Sequence, residues 1–431
     1  MILTVTLNPA LDLTYAVDEL RPHATHRVRA VHERPGGKGL NVASVLHSQG
    51  EPVLATGLLG GSVGAAVQSL VDAAGLPSAF VPIAGETRRT VTIAHGGDAT
   101  GLWEPGPFVT AAEWSAFLSC YGSLLSRASV VTLSGSLPRG VPADAYAALI
   151  LAARARGVPC VLDASGEALR LGLAAGPDLI KPNAAELAEL ADFAWAGELG
   201  GRVEPRESDE TGNIAINALT SRSSAAAAES RGPRGPLGSV VAGADDAAPG
   251  QHGPPYALGS LTASTDDAAP GPHGPPRALK PLPADADDAA PGPHGPPRAL
   301  KPPPAGPLDA LKPVPAGPRG LLDALRSLPA GSVVASRGAQ GLLAVTPDGC
   351  WRAAPPAALP GNPTGAGDAC VAALARGLRD RTPWPELLAD AVALSAAAVA
   401  APVAGAVDEA EYRRIRPLIN VEEYDDADAN G

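Results

Sequence analysis

Cysteine is scarce in this 431-residue chain: Cys120, Cys160, Cys350 and Cys370 are scattered, and no two form a Cys-x-x-Cys pair. That spacing argues against a disulfide framework and against a cysteine-built zinc site, and predicts reduced thiols packed in a core. Aromatic residues make up only 3%, and 33 basic side chains are outnumbered by 45 acidic ones, for a net charge of -12. With neither a basic surplus nor stacking rings, the chain is a poor nucleic-acid binder, and any anionic ligand must be held by local donors. No long apolar run survives uninterrupted. The longest, 391–407, is mostly alanine and is broken by Pro402 and Gly405, so it reads as a buried helix and not as a membrane span. Met1 is followed at once by the strand-like Ile2 to Leu7, without a basic segment or an apolar signal region, and the expected location is the cytoplasm. Gly-x-x-x-x-Gly-Lys-Ser/Thr occurs nowhere, which excludes a Walker-type phosphate loop.

Against these absences stands one dense segment, Asn362-Pro-Thr-Gly-Ala-Gly-Asp368, which runs into an alanine-rich helical stretch from Ala369 to Leu378. Gly365 and Gly367 permit close approach of the backbone, so the N–H groups around Ala366 can converge on an anion at a helix N-terminus. Asp368 then lies where a carboxylate can take a proton from a hydroxyl while those N–H groups hold charge on a transferred phosphoryl group. The segment also has a plainer reading as an ordinary loop before a helix. A dinucleotide-binding turn is disfavoured, because Cys370 occupies the third glycine position.

Strand-like runs at 53–58, 129–133, 159–162 and 178–180 alternate with helical patterns at 111–126 and 143–156, which predicts a mostly parallel sheet covered by helices on both faces. Extended segments near 13–17, 25–34, 88–95 and 99–103 lack intervening helices and suggest a small separate sheet, a lid formed from about 12–35 and 88–104. From about 200 to 318 the composition turns to alanine, proline, glycine and serine, and reads as a disordered insertion. Inside it a 21-residue repeat starts at Asp245, Asp266 and Asp287. Its units cannot bury a face as solenoid repeats do, and the single histidines His252, His273 and His294 are too sparse for a metal tract. The alternating pattern resumes with a helix at 320–328 and a strand at 332–336. The expected domain is therefore 1–199 joined to 319–415, followed by an acidic tail at 416–431.

Four further segments accompany the turn: Leu7 to Asp12, Gly36-Gly-Lys-Gly-Leu-Asn41, Ser134-Gly-Ser-Leu-Pro138 and Lys181-Pro-Asn-Ala-Ala-Glu186. Together with 362–368 they resemble the PfkB family of ribokinase-like sugar kinases. Gly85-Glu-Thr-Arg88 and Glu104-Pro-Gly-Pro107 narrow the likeness to its 1-phosphofructokinase and tagatose-6-phosphate kinase branch. The resemblance covers residues 1 to about 195 and about 320 to 415, and it implies a doubly wound α/β fold with a β lid. It also implies that Asp12, Gly37, Lys38, Asn41, Arg88 and Ser136 bind the sugar phosphate. Lys181, Asn183, Ser336, Gly338 and Gly341 would join Gly365 and Gly367 on the nucleotide, with Arg337 departing from the family's usual loop. Asn183 and Glu186 would reach a magnesium ion through water, with complementing a helix dipole as the alternative role for Glu186.

The reaction so implied is ATP-dependent phosphorylation of a ketohexose monophosphate, with Mg2+ as cofactor, Asp368 as base and the 365–367 amides as oxyanion donors. Arg89 and Thr90 depart from the branch's lid pattern, so fructose 1-phosphate and tagatose 6-phosphate both stay open. A kinase for an unphosphorylated sugar or nucleoside, and a binding scaffold with a decayed site, are the alternatives. The lid is also a place where a homodimer could form.

Overall fold

All five residues of β1 (Ile2–Thr6) are buried, and its apolar side chains divide between two cores. Leu3 and Val5 enter one and Ile2 the other, as a strand covered on both faces requires. The computed structural model describes residues 1–95, 98–195, 322, 325–357, 359, 361–401 and 403–424. In it β1 pairs in parallel with β4 (Val53–Gly60) and β8 (Val130–Ser134). Beyond β4 lies β5 (Ser78–Ile83). Beyond β8 follow β9 (Cys160–Asp163), β10 (Leu179–Ile180) and β11 (Ser332–Ser336), all parallel.

Helices α1 (Lys38–Ser48) and α2 (Gly61–Ala73) cover one face together with α7 (Ala366–Asp380) and α8 (Trp384–Ala400). The other face is covered by α3 (Ala111–Leu124), α4 (Ala145–Arg154), α5 (Gly166–Ala174) and α6 (Ala184–Trp195). Thr110 starts α3 with a reciprocal capping box to Glu113, as the Thr-x-x-Glu spacing provides. The alanine-rich run at 391–400 forms the buried half of α8, and no helix of the described residues is long and apolar enough to cross a membrane. Of the cysteines, Cys160, Cys350 and Cys370 are buried and Cys120 is half-buried, and all are free thiols.

The separate small sheet is present. It consists of β2 (Ala10–Ala16), β3 (Ala30–Gly36), β6 (Arg88–His95) and β7 (Asp98–Trp103), in the order β3-β2-β6-β7. Two of its strands start or end a few residues from the expected bounds, because β2 begins directly behind Pro9 and β3 runs on into the glycines that start α1.

Three antiparallel strands, absent from the sequence reading, extend the large sheet past β11: β12 (Leu342–Thr346), β13 (Gly349–Ala353) and β14 (Val421–Glu423). Residues 416–424 are accordingly part of the folded domain and not the start of a tail, since β14 pairs Trp351 with Glu423. A short helix, α9 (Glu409–Ile415), leads into it, anchored by the buried Ile415. The insertion read at 200–318 lies outside the described residues.

Candidate active site

The chemistry-bearing segments gather at the carboxyl ends of β1, β8, β9, β10 and β11, the edge at which ligands of open parallel sheets bind. At the front of this edge α7 begins. Gly365 is its N-cap with φ of +92°, and a Cβ there would lie 2.8 Å from Ala404 Cα, so both conformation and space demand glycine. The Asn362 side chain accepts from the Thr364 N–H at 3.0 Å and shapes the approach to the turn.

Asp368 is the third residue of α7 and is 6% exposed. Its Oδ2 accepts from Asn41 Nδ2 on α1 at 2.7 Å. Burial and the neighbouring Asp163 push its carboxyl up to about 7, against the pull of Asn41, Lys38 and Lys181. A carboxylate tuned to the neutral range is suited to accepting a proton.

Behind it stands a charge cluster. Asp163, at the end of β9 and 1% exposed, lies 3.3 Å from both Lys38 Nζ and Lys181 Nζ through the same Oδ1. Its Oδ2 has no hydrogen-bond partner. Burial pulls the Lys181 ammonium towards neutrality, but Asp163, Cys370 and Glu186 together outweigh it and keep the lysine charged. Lys181 Nζ also reaches to 3.5 Å from the Cβ position of Gly367, which puts a fixed cation under the glycine turn. Sequence reasoning missed Asp163. The available signal was a single carboxylate ending the apolar run Cys160–Leu162, at the point where a parallel strand meets the ligand edge.

The residues expected on the sugar side converge on the lid's base. Asp12 on β2 accepts from Thr90 Oγ1 and lies 3.4 Å from Arg34. Lys38, the first residue of α1 after Gly37, is half-exposed. Arg88, at the start of β6, donates to the Asn8 carbonyl at 3.3 and 3.4 Å, and burial lowers its pKa while Asp12 raises it. Ser136 accepts from Asn8 Nδ2 at 3.0 Å. Arg34, unread in the sequence, sits among them.

Among the residues expected to bind the nucleotide, Asn183 bridges to Ser336, and Ser336 N–H donates to the Pro182 carbonyl at 2.9 Å, so the two turns lie side by side. Gly338 and Gly341 adopt φ of +57° and +78° around a turn closed by Arg337 N–H to Gly341 O. Asn183 Oδ1 accepts from the N–H groups of Ala185 and Glu186, and Glu186 Oε2 accepts from Asn183 N–H at 2.8 Å. This is a reciprocal helix cap. It occupies oxygens that the metal reading drew on and leaves Glu186 Oε1 outside the cap. Among the described residues no three His, Cys, Asp or Glu side chains gather to cage a metal. A magnesium ion would therefore find only Glu186 Oε1 here and would depend on nucleotide phosphates and waters for its other ligands.

A doubly wound α/β body, a β lid and an anion-ready helix start bearing a neutral-range carboxylate together define a phosphoryl-transfer fold of the ribokinase type. Residues 5–201 and 317–410 match the family model described as pfkB family carbohydrate kinase, and the chain belongs to that family. Among solved structures it is similar to a variant of phosphofructokinase-2 from Escherichia coli, at 22% identity and a TM-score of 0.64, over 97% of this chain and 98% of that one. It is also similar to a "possible 1-phosphofructokinase" from Thermotoga maritima, at 19% identity and a TM-score of 0.60, over 99% and 100% of the two chains. Ribokinase from Thermotoga maritima follows at 13% and 0.53, over 96% and 98%. At these identities the likeness is one of fold.

Proposed function

We propose that the chain transfers the γ-phosphoryl group of ATP to a hydroxyl of a ketohexose monophosphate, fructose 1-phosphate or tagatose 6-phosphate, giving the bisphosphate and ADP. The observation that carries the reading is Asp368: a buried carboxyl near neutral pKa, on the first turn of α7 and beside the glycine turn. The acceptor hydroxyl loses its proton to Asp368 as its oxygen bonds to the γ-phosphorus and the bond to the β-phosphate oxygen breaks. Backbone N–H groups of Gly365 and Gly367 would meet the charge on the equatorial oxygens, with Lys181 beneath the turn, whereas the Ala366 N–H, expected to join them, is spent on the Pro363 carbonyl at 3.2 Å. A magnesium ion bound with the nucleotide would neutralise phosphate charge, and Glu186 would hold its waters through the Oε1 that the helix cap leaves outside, the Asn183 oxygen being spent on that cap.

A phosphorylated sugar is favoured because Lys38 and Arg88 bring two cations to the lid side of the cleft. Lys38 spends one donor on Asp163 and keeps others for a phosphate. Val28, Val31, Leu102 and Trp103 leave apolar surface exposed on the lid, which supports the homodimer reading. The test is ATP consumption across a panel of ketohexose phosphates, free hexoses and nucleosides. Turnover confined to one phosphorylated ketohexose supports the proposal; preference for a free sugar or nucleoside, or no turnover at all, would replace it with one of its alternatives.

A further inference from the structure

We propose that Arg34 is a positioning residue that decides which oxygen of Asp368 meets the acceptor hydroxyl, and that it ties this choice to the lid. The inference rests on Asp368 being the base. Arg34 lies on β3 with its side chain 18% exposed. One of its terminal nitrogens donates to Asn41 Oδ1 at 2.7 Å and lies 3.4 Å from Asp12 Oδ2.

A guanidinium has donors only, so the Asn41 amide must turn its oxygen towards Arg34. Its Nδ2 is thereby turned to Asp368 Oδ2 at 2.7 Å. With that oxygen engaged, Oδ1 is left to accept the substrate proton. The reversed amide would set its carbonyl against the carboxylate and its NH2 against the guanidinium, losing both bonds. Asp12 is itself held by Thr90 Oγ1. The chain of contacts therefore runs from β6 through β2 and β3 of the lid to α1 and α7.

Other charged and titratable groups around Asp368 are Asp163 from β9, Lys181 behind β10, Lys38 on α1 and Cys370 on α7 itself. Of the groups on this list none fixes the amide as Arg34 does.

The experiment compares Arg34→Gln and Arg34→Lys with Asp368→Asn, reading kcat against pH, KM for each substrate and the melting temperature. Arg34→Gln should lower kcat by about tenfold to a hundredfold, as loss of alignment does. Its acid limb should move to higher pH, because a cation and an oriented N–H donor both leave the carboxylate. KM for ATP should hold, and Arg34→Lys, which keeps the charge without the fork, should fall between and covers the case of a poorly folded glutamine variant. A raised KM for the sugar phosphate with an unmoved limb would overturn the proposal and make Arg34 a substrate ligand. A lowered melting temperature with the same fractional loss at every pH would also overturn it, leaving a structural role. If Asp368→Asn keeps the parent's rate and acid limb, the base assignment itself fails; if it abolishes the limb while Arg34→Gln leaves it in place, only the Arg34 proposal fails.

Discussion

Lys181 and Asp163 form an ion pair at 3.3 Å with side chains 5% and 1% exposed, and Lys38 shares the same carboxylate oxygen. Asp163→Asn should therefore strand the buried Lys181 charge and destabilise the fold by about 3–5 kcal/mol, the usual cost of breaking such a pair from one side. Lys38 is half-exposed and can turn to water. Because the Asp163 charge raises the Asp368 pKa, the variant's acid limb in kcat should shift to lower pH. Denaturant midpoints and a kcat–pH profile check the two parts separately, and an unchanged midpoint would show that the pair is not holding the site together.

Asp368→Asn keeps the shape of the side chain and removes its basicity. Turnover should drop by roughly 10²- to 10⁴-fold with both KM values nearly intact. More than about a tenth of the parent rate would exclude Asp368 as the base.

The same variant should be more stable than the parent in alkaline solution. Asp368 has its carboxyl raised from 3.8 to about 7, so the folded state keeps a proton that the unfolded chain releases. Stability from this group is full below about pH 4 and is lost as pH rises to about 7. Above that the ionised buried carboxylate costs on the order of 2–4 kcal/mol, which asparagine does not incur. Melting temperatures should differ by several degrees at pH 8 and converge as pH falls towards 4.5. A constant difference would show that ionisation is not the source.

Lys38→Ala should raise KM for the sugar phosphate far more than KM for ATP. An equal rise in both would move Lys38 to the nucleotide side of the cleft.

Residues 202–316 fall in the gap between the two segments that match the family model, and their composition offers little apolar surface to bury. Replacing about 205–315 with a short glycine-serine linker should preserve kcat and raise stability slightly through a smaller closure penalty. Steady-state kinetics and limited proteolysis of both forms check this. A large loss of activity, or an insertion protected in the parent, would mean that the segment contributes to the site.

The parts of this molecule written in local pattern were legible from the chain. β6 and β11 fall on their expected bounds, and α7 and α8 follow the alanine-rich runs, because apolar periodicity and glycine turns are properties of neighbouring residues. β12 and β13 carried a Pro347-Asp-Gly349 turn signal that went unread, and β14 is too short to announce itself. Asp163 and Arg34 were missed for another reason. Each is an ordinary charged residue in sequence, and its role comes from partners that only the folded sheet assembles. Asn183 and Glu186 show the reverse: the family likeness pointed to a metal, and in the structure their side chains first satisfy the start of α6.

The hydrogen bond from Asn41 to Asp368 joins positions 327 residues apart. During vectorial synthesis at about 5–20 residues per second, α1 must wait roughly 16–65 s for the helix that completes the centre. Any product truncated before that point lacks Asp368, the proposed proton acceptor, and it exposes the apolar face of α1 that α7 covers. An interrupted ribosome would thus release a fragment that carries an uncovered apolar helix face and lacks Asp368.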